Sequence, residues 1–136
     1  MTASHEFLDH TAELTVRLRA GSAPELFREA ARALAEVATR GIGTEPAATE
    51  RVIELAAPDR AALLVDWLNE LVYLAEAERW VPREVEIESL GETTLRARCR
   101  GVVLERAATL VKAATLHRLE IRRANGALEA DVILDV

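Results

Sequence analysis

The sequence is poor in cysteine and lysine and has no long apolar run, and each shortage excludes a class of protein. A single cysteine, Cys99, cannot form an internal disulfide, so a disulfide-stabilised secreted scaffold is excluded. No apolar run approaches the roughly 18 residues that a membrane-spanning helix needs, and the N-terminal residues lack the basic and then apolar pattern of a secretion signal. We therefore expect a soluble, cytoplasmic protein with no membrane partner.

Positive charge is scarce relative to negative charge. The formal net charge is −6, and aromatic residues make up 4% of the chain. Proteins that bind nucleic acid on their own usually present a clustered cationic surface, and single-strand binders add aromatic platforms for the bases. We expect no stable direct binding of nucleic acid, and a basic protein partner suits this charge better.

Lysine occurs once in the sequence. Of the 17 lysine and arginine residues, only Lys112 is a lysine. A GC-rich genome explains the general preference for arginine. The exception is still a hint of a special role, because an ammonium is a compact point charge on a flexible stem that a guanidinium does not replace.

Motifs of the common nucleophilic and phosphate-binding sites are absent. There is no Gly-x-Ser-x-Gly elbow and no glycine-rich phosphate loop. Cys99 falls on the apolar parity of its segment, which indicates a core residue rather than a reactive thiol. His117 follows Lys112 closely, so the two could form an acid-base site with nearby acids. The alternative is that His117 is a structural residue of a strand.

The 136 residues fit one domain, residues 1–136, which is large enough for a hydrophobic core. Alternation predicts a first strand over Leu14–Leu18. Ser22 and Glu25 then form a capping box for a helix that ends near Thr39. The same signals predict six further elements, one helix and five strands: Val52–Ala56, the helix 60–76 after its cap Asp59, Glu84–Glu88, Thr94–Arg100 after a turn at Gly91, Leu116–Arg123 and Ala127–Leu134.

The pattern of elements predicts an α+β fold, with two helices packed on one face of a mostly antiparallel sheet in two layers. Asn125-Gly126 is a strong hairpin signal between the last two strands. The segment Val102–Ala114 fits either a helix or a strand and is left open. Polar residues opposite the apolar stripe of the second helix are assigned to its solvated face: Asp66, Asn69 and Glu70.

The stretch HEFLDHTAELTV, residues 5–16, combines histidines and acids at the start of the first predicted strand. Asp9, His10 and Glu13 are close in sequence, and they meet Asp135 if the last strand pairs beside the first. Carboxylate ligands suit Mg²⁺, Mn²⁺ or Ca²⁺, and an imidazole favours Mn²⁺ or Zn²⁺. From spacing alone, the simpler interpretation is that these polar groups at strand ends face water.

Four blocks of sequence, in the same order, make the chain resemble the archease family. They cover nearly the whole chain: FLDHTAELTVRLRAGSAPELFREAA, LLVDWLNELVYLAE, VKAATLH and VILDV. Archeases are partner proteins of the RtcB-type RNA ligase, which joins RNA ends in tRNA splicing and RNA repair and carries guanylate on a histidine. The resemblance implies that this chain is not itself an enzyme, and that it promotes guanylylation and multiple turnover of such a ligase.

The resemblance also implies roles for residues. Glu13, which closes the DHTAE phrase, and Asp135 are expected to hold a divalent metal ion, Ca²⁺, Mg²⁺ or Mn²⁺. Asp9 and His10 belong to the same phrase, Asp9 as a further ligand and His10 as a residue of activation. Lys112 is expected to take part in activation of the ligase.

Two departures from the family pattern bear on the geometry of the site. Glu13 stands where the family usually has Asp, and Leu116 stands where a Tyr is common, after a shortened loop. His117 remains a further candidate for activation because of its position near Lys112. Two other classes stay open: a small metal-dependent hydrolase with His117 as its base, which a deep pocket would favour, and a protein chaperone.

Overall fold

The structure, a computed structural model, describes residues 2–8, 13–39, 48–105 and 111–136. These ranges contain two α-helices and eight strands. In chain order the elements are β1 (Ser4–Leu8), β2 (Glu13–Ala20), α1 (Ala23–Thr39), β3 (Thr49–Ala56), α2 (Arg60–Glu78), β4 (Trp80–Leu90), β5 (Thr94–Val103), β6 (Ala113–Leu116), a 3₁₀ turn (His117–Leu119), β7 (Arg122–Ala124) and β8 (Ala127–Asp135).

The strands form two antiparallel sheets, where the sequence predicted one. Sheet A has the order β1-β2-β8-β6 with β7 also paired to β8, and sheet B has the order β3-β5-β4. Helix α1 packs against β2 and β4, and α2 packs against β6 and β4, so each helix contacts both sheets. The predicted α+β class is confirmed, and the helices join the two sheets into one core.

The core forms where the apolar stripes of the two helices meet. Leu26, Phe27 and Trp67 are fully buried, on the helix faces that pack into the core. The indole Nε1–H of Trp67 donates to the C=O of Phe27 at 2.9 Å, so the one polar atom of the ring is satisfied inside the core. Burial of each large apolar side chain contributes roughly 1.5–3 kcal/mol.

Both helices begin at the predicted caps. The N–H of Glu25 donates to Oγ of Ser22 at 3.4 Å, and the N–H of Ala62 donates to Oδ1 of Asp59 at 2.8 Å. These side chains satisfy backbone donors that have no partner inside the helix. Helix α2 ends two residues later than predicted, before Arg79, which adopts a left-handed conformation with φ 55°.

The prediction of one strand over Leu116–Arg123 is wrong. Strand β6 ends at Leu116, a 3₁₀ turn follows, and β7 begins only at Arg122. Arg118 in the turn has φ 59°, which a continuous strand cannot contain. Arginine is not a typical turn residue, so no local pattern indicates the break.

The predicted hairpin between β7 and β8 is confirmed. Asn125 and Gly126 have φ 51° and 76°, the positive values of a type I′ turn.

The segment Val102–Ala114, for which both a helix and a strand were possible, has a strand at each end. Residues 102–103 finish β5 and residues 113–114 begin β6, while residues 106–110 lie outside the described ranges. Strand β1 was not predicted. No helix in the described part of the chain is long and apolar enough to span a bilayer.

Candidate metal centre

Glu13 and Asp135 lie directly opposite each other in the ladder between β2 and β8. Both side chains are exposed, whereas the neighbouring Leu134 is 1% exposed and lies in the core. The two carboxylates are therefore on the solvent face of sheet A, where directly opposite Cβ atoms are about 4.5–5.5 Å apart. We call Glu13 and Asp135 the acid pair.

Charged cross-strand pairs further along the same face are complementary. Nε of Arg17 donates to Oδ1 of Asp131 at 2.9 Å, and Arg19 lies 3.3 Å from Glu129. The hydrogen bond from Arg17 lowers the pKa of Asp131 below its ordinary value. Opposite charges stabilise such pairs and like charges destabilise them. At the acid pair, by contrast, one acid faces another, so the ladder itself supplies no opposite charge at this position.

Lys112 is placed beside the acid pair by the backbone. Its N–H donates to the C=O of Asp135 at 2.7 Å, and the next residue, Ala113, pairs with Asp135 across β6 and β8. Asp135 therefore lies between Glu13 on one side and Lys112 on the other. The Lys112 side chain is exposed, so its ammonium is available to an anionic group of a partner.

The chemistry of the acid pair fits a hard divalent cation. No described side chain forms an ion pair with Glu13 or Asp135. One or two carboxylates with several waters is the usual coordination of Mg²⁺ in proteins. Within the described ranges no three His, Cys, Asp or Glu side chains form a metal cluster. Asp9 and His10, the other predicted residues of this site, lie outside the described residues.

His117 is not brought to the acid pair. It follows Leu116, which pairs with Val132, whereas Asp135 pairs with Ala113 at the other end of β6. Three strand residues separate these levels, roughly 10 Å. The acid-base site that the sequence suggested for His117 and Lys112 therefore does not form in β6, and a role of His117 in activation stays a prediction.

Asn69 does not lie on the solvated face of α2, where the sequence had predicted it. Its side-chain amide donates to the C=O of Ala114 and accepts from the N–H of Ala114, each at 2.9 Å, and it also donates to Val65 at 3.1 Å. It faces the edge of sheet A rather than solvent. The available signal was its poor helix propensity in the middle of α2, which favours a specific role for the side chain.

His5, also in the opening stretch, belongs to a different cluster. Its Nδ1 lies 2.5 Å from Oε2 of Glu29, its Nε2 bonds to Glu36, and Arg32 lies 3.3 Å from Glu29. Burial lowers the pKa of His5, but the hydrogen bonds that its ring donates to Glu29 and Glu36 outweigh this effect and leave the pKa raised above 6.5. This cluster ties β1 to α1 and contains no residue of the acid pair.

The family of the chain follows from its match to known proteins. Residues 5–136 match the model of the Archease protein family. The chain belongs to the archease family. Glu13 closes the DHTAE block of the sequence, and Asp135 lies in the VILDV block.

Relatives named Protein archease match this chain over nearly their whole length. The protein from Methanosarcina barkeri is 34% identical over 97% of this chain and 95% of its own length. The protein from Archaeoglobus fulgidus is 33% identical over 97% of this chain and 98% of its own length.

Two solved structures have the same fold. The solution structure of protein 1598 from Methanobacterium thermoautotrophicum has a TM-score of 0.79 at 33% identity and covers 97% of this chain and 98% of its own. The crystal structure of an archease from Thermotoga maritima, described as a possible chaperone, has a TM-score of 0.68 at 22% identity, with 95% and 94% covered. At that lower identity the likeness shows the fold alone.

Proposed function

We propose that this chain is an accessory protein that activates an RtcB-type RNA ligase by promoting its guanylylation and multiple turnover. Membership of the archease family supports the proposal. The observation that carries it is the acid pair, exposed at the end of sheet A with Lys112 beside Asp135. An exposed group of this kind is suited to act in the site of a second protein.

We call Glu13, Asp135 and Lys112 together the tip. Each of these residues has a distinct task in the proposal. Glu13 and Asp135 would hold a divalent cation, which supplies positive charge that orients phosphate oxygens during nucleotidyl transfer. Lys112, immediately before β6 and beside Asp135, contributes a mobile ammonium. The backbone bond from Lys112 to Asp135 holds the main chains of the two residues together, so that both reach the ligase at the same end of sheet A.

The position of the acid pair favours an accessory role over a free-standing hydrolase. Clefts of about 250 Å³ and 450 Å³ lie elsewhere on the described surface, between α1 and β4 and at one end of sheet B, and neither contains Glu13, Lys112 or Asp135. A hydrolase would need a substrate pocket around its metal ligands. A partner protein needs only an accessible tip.

The decisive experiment is RNA joining by the RtcB-type ligase of the same organism, at limiting ligase, with GTP and divalent metal. We expect addition of this chain to convert about one turnover into many, and we expect Asp135→Asn and Glu13→Gln to lose most of that gain. Guanylylation of the ligase, measured with radiolabelled GTP, should fall in parallel in both variants.

The matched control is Glu120→Gln, which removes an exposed carboxylate on a different part of the chain. It should activate the ligase as the unaltered protein does. Full activation by Asp135→Asn would show that the acid pair has no part in the function. No effect of the unaltered chain on turnover or guanylylation would overturn the proposal itself, and refolding of a denatured client protein would then test the chaperone alternative.

A further inference from the structure

The cleft between α1 and β4 is separate from the acid pair, and neither Glu13 nor Asp135 lines it. Its volume is about 250 Å³. Helix α1 contributes Arg28 and Arg32 to the lining, and β4 contributes Pro82, Arg83 and Glu84. Three guanidinium groups therefore surround one cleft in a protein whose net charge is −6. We call it the arginine cleft.

The β4 wall of the arginine cleft is a β-bulge. Pro82 pairs with Gly101 and Glu84 pairs with Arg100, so Arg83 is an extra residue in the ladder with β5. Bulges redirect side chains and are common beside functional sites. Pro82 has no N–H to offer to a ladder, which suits a break in pairing at this position. The irregularity therefore adds an arginine to the cleft.

Arg28 is the residue of this cleft with a buried donor that lacks a partner. Within the ranges that the structure describes, its Nε–H has no hydrogen-bond acceptor. A buried donor without a partner destabilises the folded chain, because the donor has lost its bond to water and gained none. Arg28 and Arg32 are also one helical turn apart, where like charges repel. Arg32 is partly compensated by Glu29, 3.3 Å away, whereas no described carboxylate forms an ion pair with Arg28.

We propose that the arginine cleft binds a phosphate group, with Arg28 as the principal donor. The planar fork of a guanidinium matches two phosphate oxygens, and a bound oxyanion would offset the repulsion between Arg28 and Arg32. Glu84 at the same cleft opposes anions, and the lining holds three arginines and this one carboxylate. The phosphate belongs either to a free nucleotide or inorganic phosphate, or to an RNA backbone.

The test follows the Nε–H resonances of arginine by NMR while inorganic phosphate is titrated into the full chain at constant ionic strength. We expect the Arg28 signal to shift and saturate, while the Arg123 signal moves little. Arg28→Gln should weaken phosphate binding about tenfold or more, because one charge-assisted bidentate contact is lost. Arg28→Lys, which keeps the charge, should weaken it similarly because it lacks the fork.

Arg123→Gln is the matched control, since it removes an exposed arginine on β7, and it should bind phosphate as the unaltered chain does. A parallel titration with a short single-stranded RNA identifies the source: tighter binding than phosphate indicates the RNA backbone, and weaker binding indicates a free phosphate. No saturable shift with either probe, or equal binding by Arg28→Gln, would overturn the proposal. If Arg28→Gln does not fold, Arg83→Gln provides the same comparison. The binding measurement does not involve the ligase, so its outcome is independent of the proposed function.

Discussion

The side-chain amide of Asn69 makes two hydrogen bonds with the backbone of Ala114, one donated and one accepted, each at 2.9 Å. This is the pattern that a neighbouring strand would offer to β6, which is an edge strand of sheet A. Ala114 lies two residues after Lys112, whose N–H bonds to Asp135. Helix α2 thereby supports the strand that positions the candidate site.

Replacement of Asn69 by Leu should destabilise the fold and loosen β6. The change leaves the N–H and C=O of Ala114 without their partners, which costs about 1–3 kcal/mol per group. Urea unfolding measures the loss, and hydrogen exchange should show a faster amide at Ala114. The control Asp66→Ala alters an exposed residue of the same helix and should change stability by less than about 0.5 kcal/mol. Unchanged exchange at Ala114 would contradict this account.

Neutralising the acid pair should stabilise the protein when metal is absent. Glu13→Gln removes repulsion between directly opposite carboxylates, a gain of about 0.2–1 kcal/mol. In metal-free buffer its melting temperature should therefore rise slightly, whereas Ca²⁺ or Mn²⁺ should raise the melting temperature of the unaltered chain only. Glu120→Gln should retain the response to metal. Equal responses of Glu13→Gln and the unaltered chain would exclude a metal site at this pair.

Local patterns predicted much of the fold because they depend on neighbouring residues. The caps Ser22 and Asp59 and the Asn125-Gly126 turn satisfy nearby backbone groups, and the structure confirms all three. The split into two sheets and the break after Leu116 could not be predicted, since they depend on tertiary pairing and on a left-handed residue that carries no sequence signal.

Only part of the candidate site could be predicted from the sequence, for the same reason. The sequence predicted that Glu13 and Asp135 meet if their two strands pair, and the structure confirms this pairing between β2 and β8. The two acids of the pair can be recognised by residue type and by family, but the contact of Asn69 with Ala114 joins residues far apart in sequence. No periodicity encodes such a contact, so Asn69 was assigned to solvent.

The contribution of His5 to stability should fall as the pH rises. Both ring nitrogens bond to carboxylates, Glu29 and Glu36, and the folded-state pKa of His5 is raised above 6.5. A raised pKa means that the stabilisation is fully present below about 6.5 and is lost as the pH passes through the folded-state value. Arg32 and the ring of Phe7 are the other groups beside this cluster.

A comparison of the unaltered chain with His5→Gln measures this effect. Urea unfolding midpoints should differ most below about pH 6.5 and converge as the pH rises through the folded-state pKa of His5. Arg32→Gln tests whether the cation that compensates Glu29 changes the result. A difference that is constant with pH would show that His5 acts through packing and not through its charge.

Gly101 should tolerate no side chain, whereas Gly91 should. A Cβ atom at Gly101 would lie 2.7 Å from Cε2 of Trp80, and Trp80 is fully buried, so it cannot move aside. Gly101→Ala should therefore destabilise by about 1–3 kcal/mol. At Gly91 the nearest atom to a Cβ is Oγ1 of Thr94 at 3.5 Å, an ordinary contact. Gly91→Ala is thus the control, and thermal unfolding of both variants should separate them clearly.

Cys99 should be unreactive in the folded protein at neutral pH. The side chain is fully buried in β5, and burial raises the pKa of its thiol to about 11. Because the thiolate is the reactive form, a buried thiol of this pKa should react with Ellman's reagent only after unfolding. One thiol should become reactive on addition of urea, with the same midpoint as the loss of helical circular dichroism. Rapid labelling of the native chain would contradict this expectation and would mean that β5 opens without global unfolding. Hydrogen exchange at the Ala114 amide would then show whether sheet A stays closed while sheet B opens.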